Sequence, residues 1–209
     1  MRSLIVAAAA VATLFGATPA GAVARPADRA LITQRDLPPG YRQVDSGNDT
    51  VASLGIGTGK ALRGCPALSM SRQPVRSTSA VYAKGPTGPY VAALALRYAP
   101  GGAAATIEAL DAARRHCHFV TYRSQVGAVR FGITTLPMRP LRARTVPIHL
   151  SGRTSGMVRV SVEADLVAVR RGDFVLVSAE FAIGRRLDGI APRIAPLTLA
   201  RCARQIRGC

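Results

Sequence analysis

From Met157 to Ile183 the chain reads MVRVSVEADLVAVRRGDFVLVSAEFAI, and apolar residues recur at every second position for most of that length. Val158, Val160, Val162, Ala164, Leu166 and Ala168 alternate with Arg159, Ser161, Glu163 and Asp165, a spacing of two that a helix cannot use and a strand must. The run reverses at Arg171-Gly172-Asp173, where glycine supplies the positive φ of a tight hairpin. Two long antiparallel strands are therefore predicted, the first with one wet face on which Glu163 and Asp165 sit in a solvated pattern. The RGD tripeptide is assigned to the turn rather than to adhesion, because so short a motif has no specificity of its own.

The rest of the chain fits around such a hairpin. SAVYAK (79–84) and YVAALALRY (90–98) read as two more strands joined by a Gly-Pro turn, and the second is apolar on both faces, so it belongs at the centre of a sheet. Shorter strand candidates occupy 128–135 and 143–150. Ile107, Leu110, Ala113 and Cys117 recur at helical spacing over 103–117, with Glu108, Asp111 and Arg115 off that face and an i,i+4 pair between Asp111 and Arg115. A second helix is expected over 197–207, with Pro196 in its first turn and Gly208 as its cap. A short helix before Pro38-Pro39-Gly40 is expected to carry Ala30, Leu31 and Leu37 on its apolar side, and residues 45–64 read as mostly loop. The fold class is α+β: a single domain with a twisted antiparallel sheet of about five or six strands and helices packed against it, stabilised by disulfides.

The first 24 residues, MRSLIVAAAAVATLFGATPAGAVA, have the form of a signal peptide. Arg2 precedes an apolar run from Leu4 to Phe15, and small residues place cleavage at Ala22 or Ala24. No cysteine marks a lipid anchor, and no later stretch reaches the length of a membrane span. The secreted domain is then residues 25–209, located outside the cytoplasmic membrane, free or attached to the envelope. In that compartment four cysteines imply two disulfides, with three possible connectivities. Cys117 closes the apolar face of its helix, so its partner approaches from the core side, and Cys65 lies in a loop segment able to do so. Cys202 is then left to pair with Cys209, which requires the last helix to end by Arg207 and the chain to turn back at Gly208.

The formal charge is +17, and loss of Arg2 with the leader lowers it to +16. Arg outnumbers Lys by 26 to 2, a pattern matching the coding bias of a GC-rich bacterium such as an actinobacterium. Such charge favours anionic envelope surfaces, whereas export and the lack of interleaved basic and aromatic residues argue against nucleic acid. Gly55-Ile56-Gly57-Thr58-Gly59-Lys60 imitates a phosphate loop, but Leu54 and Ala61 stand where that motif needs glycine and Ser or Thr. His116-Cys117-His118 is the densest set of potential metal ligands. Adjacent helical residues diverge by about 100°, so a disulfide cysteine flanked by histidines is the assignment. His149 stands alone in a strand and is read as structural or exposed. There is no Gly-x-Ser-x-Gly elbow, no Ser-x-x-Lys and no cysteine left free once both disulfides form. No catalytic, cofactor-binding or metal residue is assigned, and no cofactor is expected.

The order of these elements, with LITQRDLPPGY (31–41), YVAALALRYAPGGAAATIEALDAARRHC (90–117), RRGDFVLVSAEF (170–181) and a terminal helix, resembles actinobacterial secreted sensor-domain proteins. It is similar to the extracellular domain of mycobacterial PknH-type serine/threonine kinases. The resemblance implies an antiparallel sheet and helices around a cleft, two disulfides and no catalysis. The function expected from it is an exported, non-enzymatic, sensor-like domain binding a small molecule, lipid or cell-wall component. The alternatives are a secreted hydrolase of envelope glycan or ester, and a cationic envelope-associated protein without a specific ligand.

Overall fold

The computed structural model describes residues 31–45, 62–85, 88–124, 127–154, 159–205 and 209. The expected leader with its cleavage positions Ala22 and Ala24, the Gly55–Lys60 stretch, the start of the late hairpin at Met157 and the expected cap at Gly208 lie outside the described residues. Strands β1 (Arg42–Asp45), β2 (Leu62–Arg63), β3 (Arg76–Ala83) and β4 (Tyr90–Arg97) precede helix α1 (Gly102–His116). Then come β5 (Phe119–Ser124), β6 (Gly127–Thr135), β7 (Thr145–Thr154), β8 (Ser161–Arg171), β9 (Phe174–Ile183) and helix α2 (Ile190–Gln205). The nine strands form one sheet in the order β1-β3-β4-β9-β8-β7-β6-β5-β2, and every neighbouring pair is antiparallel. The chain is an α+β domain with one antiparallel sheet, larger than expected because β1, β2 and β5 are too short or too polar to stand out as alternating runs.

The late hairpin sets the middle of this sheet. Arg171 pairs with Phe174, leaving Gly172 and Asp173 as a two-residue loop in which Gly172 has φ 55°. Glycine in the first central position of such a turn matches the twist of the flanking strands. The RGD residues serve the fold: the Asp173 carbonyl accepts from the Tyr98 amide, and the Arg171 guanidinium donates to the Cys209 carbonyl.

Because strand side chains alternate, the sheet has two different faces. On one, Val81, Leu94, Ala168 and Val177 pack beneath Ala103 and Ile107 of α1. The same face continues through Val120, Phe131 and Val162 to Ala113, where Cys65 is bonded to Cys117 at a Cα separation of 5.5 Å. On the other face, Val91, Ala93, Val167 and Leu176 lie beneath Ile190, Ile194, Ala195 and Cys202 of α2. Cys202 is bonded to Cys209, with Cα atoms 5.6 Å apart. The N-terminal segment joins this second layer. Arg201 of α2 forks onto Asp36 (Nη2–Oδ1 2.7 Å) and onto the Leu31 carbonyl at 2.8 Å, while the Tyr82 hydroxyl donates to the Ile32 carbonyl at 2.9 Å. Burial alone would raise the Asp36 carboxyl, but hydrogen bonds from Arg201 and Thr33 outweigh it and hold the group below the ordinary range.

Three local expectations are corrected. The helix before Pro38 is, within the described residues, a single 3-10 turn from Gln34 to Asp36, stopped by two prolines. Helix α2 begins at Ile190, well before Pro196, which sits inside it on the exposed side. Pro192 takes the tolerated first-turn position instead, where its missing N–H loses no intrahelical bond. Asp111, expected off the buried face of α1, is only 9% exposed. It does pair with Arg115, and also with Arg114 at 2.7 Å and Arg144 at 3.3 Å. The Arg114 hydrogen bond chiefly holds its carboxyl low, and the Arg144 contact ties α1 to the β6–β7 connection.

Tyr41 is fully buried, and among the described residues its hydroxyl has no hydrogen-bond partner. A buried unpaired hydroxyl costs free energy that an isosteric ring does not. Tyr41→Phe is therefore expected to raise stability by about 1 kcal/mol. A thermal midpoint that falls in this variant would contradict the assignment.

Candidate functional site

The α2 face of the sheet is covered only in part. Helix α2 rests on β9, β8 and the edge of β4, so the outer strands present side chains on the same face without a helix above them. Thr134, Ser151, Arg130 and Arg153 there are exposed. At the boundary between the covered and bare halves lies a cavity of about 410 Å³. Thr134 at the end of β6, His149 of β7, and Glu163 and Asp165 of β8 form its floor, and Leu136–Pro137 and Arg186–Leu187 form its walls; Thr135 also lines it, but its hydroxyl accepts from Arg114 of α1.

Register builds the floor. Thr134 lies opposite His149, His149 opposite Asp165, and Asp165 opposite Glu180, so four polar side chains cross four adjacent strands in one row. His149 Nδ1 is 2.7 Å from Asp165 Oδ1. A carboxylate at that distance fixes Nδ1 as the donor and orients the ring, which leaves Nε2 as the nitrogen able to meet a ligand. Asp165 is only 5% exposed. The expectation of one uniformly solvated face on β8 is thereby corrected: Ser161 is exposed and Glu163 half-buried, but Asp165, Val167 and Val169 are buried as α2 closes over them. His149, expected to be solitary, is half of an ion-pair-competent dyad.

Glu180 anchors the wall. Its side chain is wholly buried, and its two oxygens accept from the backbone amides of Asp188 (2.6 Å) and Ile190 (2.5 Å). A carboxylate from a central strand thus caps the first turn of α2, where unpaired amides and the positive end of the helix dipole favour negative charge. Burial pushes the Glu180 carboxyl above the ordinary range; the two amides pull it back less, and the charges of Asp188 and Asp165 push the same way as burial. Through this contact Glu180 fixes the 184–189 connection, and with it Arg186 and Leu187, over the cavity.

The other residues singled out in the sequence lie elsewhere. Cys117 is in its disulfide, and His116 and His118 are exposed at the end of α1, on the α1 side of the sheet. Among the described residues no cluster of three His, Cys, Asp or Glu side chains is placed to hold a metal ion. The floor offers carboxylate acceptors and one imidazole oriented by Asp165. His149 and Asp165 escaped sequence reasoning because they are 16 residues apart and meet only through the β7–β8 register.

A single antiparallel sheet with a helix on each face and two disulfides defines a disulfide-stabilised α+β class of domain. In particular, the chain has the fold of the extracellular domain of PknH from Mycobacterium tuberculosis: the crystal structure superposes with a TM-score of 0.55 at 10% identity, covering 84% of this chain and 93% of that one. A putative uncharacterized protein from Mycobacterium smegmatis, the Rv0999 ortholog, aligns with a TM-score of 0.47 at 11% identity over 80% of this chain and 92% of the other. No protein-family model and no curated protein matches the sequence. No helix among the described residues is long and apolar enough to cross a membrane.

Proposed function

We propose that this protein is an exported, non-enzymatic sensor-type domain that binds a polar ligand in the cavity over His149, Asp165 and Glu163. The observation that carries the reading is the cross-strand row itself. A cavity floored by an oriented imidazole and two carboxylates, on a rigid sheet, presents directional acceptors to hydroxyl or amine groups. Export is supported by the form of the first 24 residues and by the two disulfides, which persist in oxidising compartments. The fold shared with the PknH extracellular domain supports the sensor assignment.

The test is a thermal-shift and calorimetric survey of the full chain against three sets of probes: neutral and acidic oligosaccharides, anionic phospholipid vesicles, and peptidoglycan fragments. One probe is expected to bind with an affinity that survives 0.5 M salt, roughly the range in which exposed charge attraction is screened away. His149→Ala is expected to weaken it about tenfold or more, as loss of a hydrogen-bonding group in a binding cavity does. Binding that vanishes with salt and ignores His149 would leave only a cationic surface protein. Turnover of a probe, abolished by Asp165→Asn, would make the protein a hydrolase.

A further inference from the structure

The bare half of the α2 face carries a second feature that the cavity does not use. Arg63 of β2, Thr121 of β5, Arg130 of β6, Arg153 of β7 and Ser161 of β8 lie in register, forming one row across five strands on one face. The three arginines are exposed, and among the described residues no carboxylate forms an ion pair with any of them. Arg130 and Arg153 face each other directly, about 5 Å apart at the backbone, and like charges so placed repel.

An Arg–Arg pair is not distinctive alone, because Arg76 and Arg97 also stand opposite each other. The surroundings set this row apart. The Arg130 guanidinium carbon lies 3.8 Å from the centre of the Phe119 ring, a cation–π contact that holds the group over the ring while its N–H donors remain for an anion. Gly64, with φ 89°, brings β2 close enough that a Cβ there would stand 3.0 Å from the Phe119 ring; this close approach seats Arg63 at the end of the row. One step toward the cavity, Gly132 and Ser151 make a low polar floor between Phe119 and Glu163. The next step reaches Thr134 and His149 at the cavity, roughly 13 Å along the strands from the arginines.

We propose that this face is the binding platform of an acidic polysaccharide: its carboxylate groups meet Arg63, Arg130 and Arg153, and its hydroxyls meet Thr121, Ser151 and the acceptors Glu163 and His149. The proposal rests on the cavity reading and gives it a ligand class. Charge complementarity selects the occupant. An extended row of planar forks interleaved with hydroxyl side chains suits an extended, hydroxyl-rich polyanion. The half-buried carboxylate of Glu163 on the same face accepts from glycan hydroxyls but repels the phosphates of a flat anionic membrane, and no aromatic side chain belongs to the row itself to stack nucleic-acid bases.

The experiment compares the full chain with two double variants that remove equal charge, R130S/R153S at the platform and R76S/R97S at the remote pair. The probes are an oligogalacturonate, a malto-oligosaccharide of equal length, poly-L-glutamate and vesicles of anionic phospholipid, titrated by calorimetry. The oligogalacturonate is expected to bind the parent chain and R76S/R97S alike and R130S/R153S at least tenfold more weakly, with the neutral glycan weak throughout. R130K/R153K, which keeps the charge and loses the planar fork, is expected to follow the serine variant and serves where the latter fails to fold. The proposal is overturned by an inert oligogalacturonate, by equal losses in both double variants, or by poly-L-glutamate or vesicles binding as tightly as the uronate. If the platform variants change nothing while His149→Ala still abolishes some other probe, this inference falls and the cavity reading stands. If the platform variants abolish binding and His149→Ala does not, the cavity reading falls.

Discussion

Replacing Cys65 and Cys117 together by serine is expected to lower the stability of the domain by about 4 kcal/mol, because the bond closes a loop whose ends are 52 residues apart. The loop contains β3, β4 and all of α1, so reduction frees a large part of the sheet and its covering helix in the unfolded chain. The bond also pins the segment after β2 to the end of α1, over Ala113, Val120, Phe131 and Val162. Replacing Cys202 and Cys209, only 7 residues apart, is expected to cost roughly 2.4 kcal/mol on the same chain-entropy relation. Urea unfolding of the two double variants measures the contrast. Equal losses would show that loop closure does not govern either bond.

Glu180→Ala is expected to cost about 3 kcal/mol, since it strands two buried amides that now donate to a carboxylate. Glu180→Gln should cost less, because one amide keeps an acceptor while the other meets the donor side of the new group. The pH dependence separates this capping role from simple packing. The folded-state pKa of Glu180 lies above its unfolded value. Below the unfolded value both states are protonated and the group contributes nothing. As pH rises past that value the unfolded chain ionises first, so native stability falls until the higher folded pKa is passed, and the deficit is constant beyond it. Acidification from neutral pH toward the ordinary glutamate range should therefore favour the parent chain over Glu180→Gln, and the gap between them should widen. A gap that narrows on acidification would mean that the buried carboxylate is stabilised as an anion. The same substitution should loosen the 184–189 connection over the cavity, which hydrogen exchange at Asp188 and Ile190 would report.

Much of the fold was legible in local periodicity. Strands β3, β4, β6, β7, β8 and β9 were each marked by alternation or by an apolar run, and α1 by apolar spacing from Ile107 to Ala113. The reversal at Gly172 followed from turn chemistry, since only glycine tolerates that φ without strain. The short strands were not legible: β2 has two described residues and β5 reads FVTYRS, so neither shows a period against the loops around it. The start of α2 was misplaced because two prolines four positions apart, Pro192 and Pro196, look like a break. In the fold, one falls in the first turn and the other faces solvent while the remaining ladder and the packing of Ile190 and Ile194 hold the helix.

The candidate site belongs to the part that only tertiary structure decides. Which face a residue takes is set by its parity within a strand, a property of neighbouring positions that the amino-acid order carries by itself. Which residue stands beside it on the next strand is set by register, which depends on connections whose length and conformation periodicity does not specify. His149 meets Asp165, Asp165 meets Glu180, and Arg130 meets Arg153 only after three hairpins have closed in one alignment. The acidic pattern of β8 likewise looked uniformly wet, because alternation reports polarity and cannot report that α2 comes to rest over one half of a face. The sequence therefore determined an antiparallel α+β domain with its turns and main strands, while the pairing of distant strands and the partial cover of one helix decided where its polar residues converge.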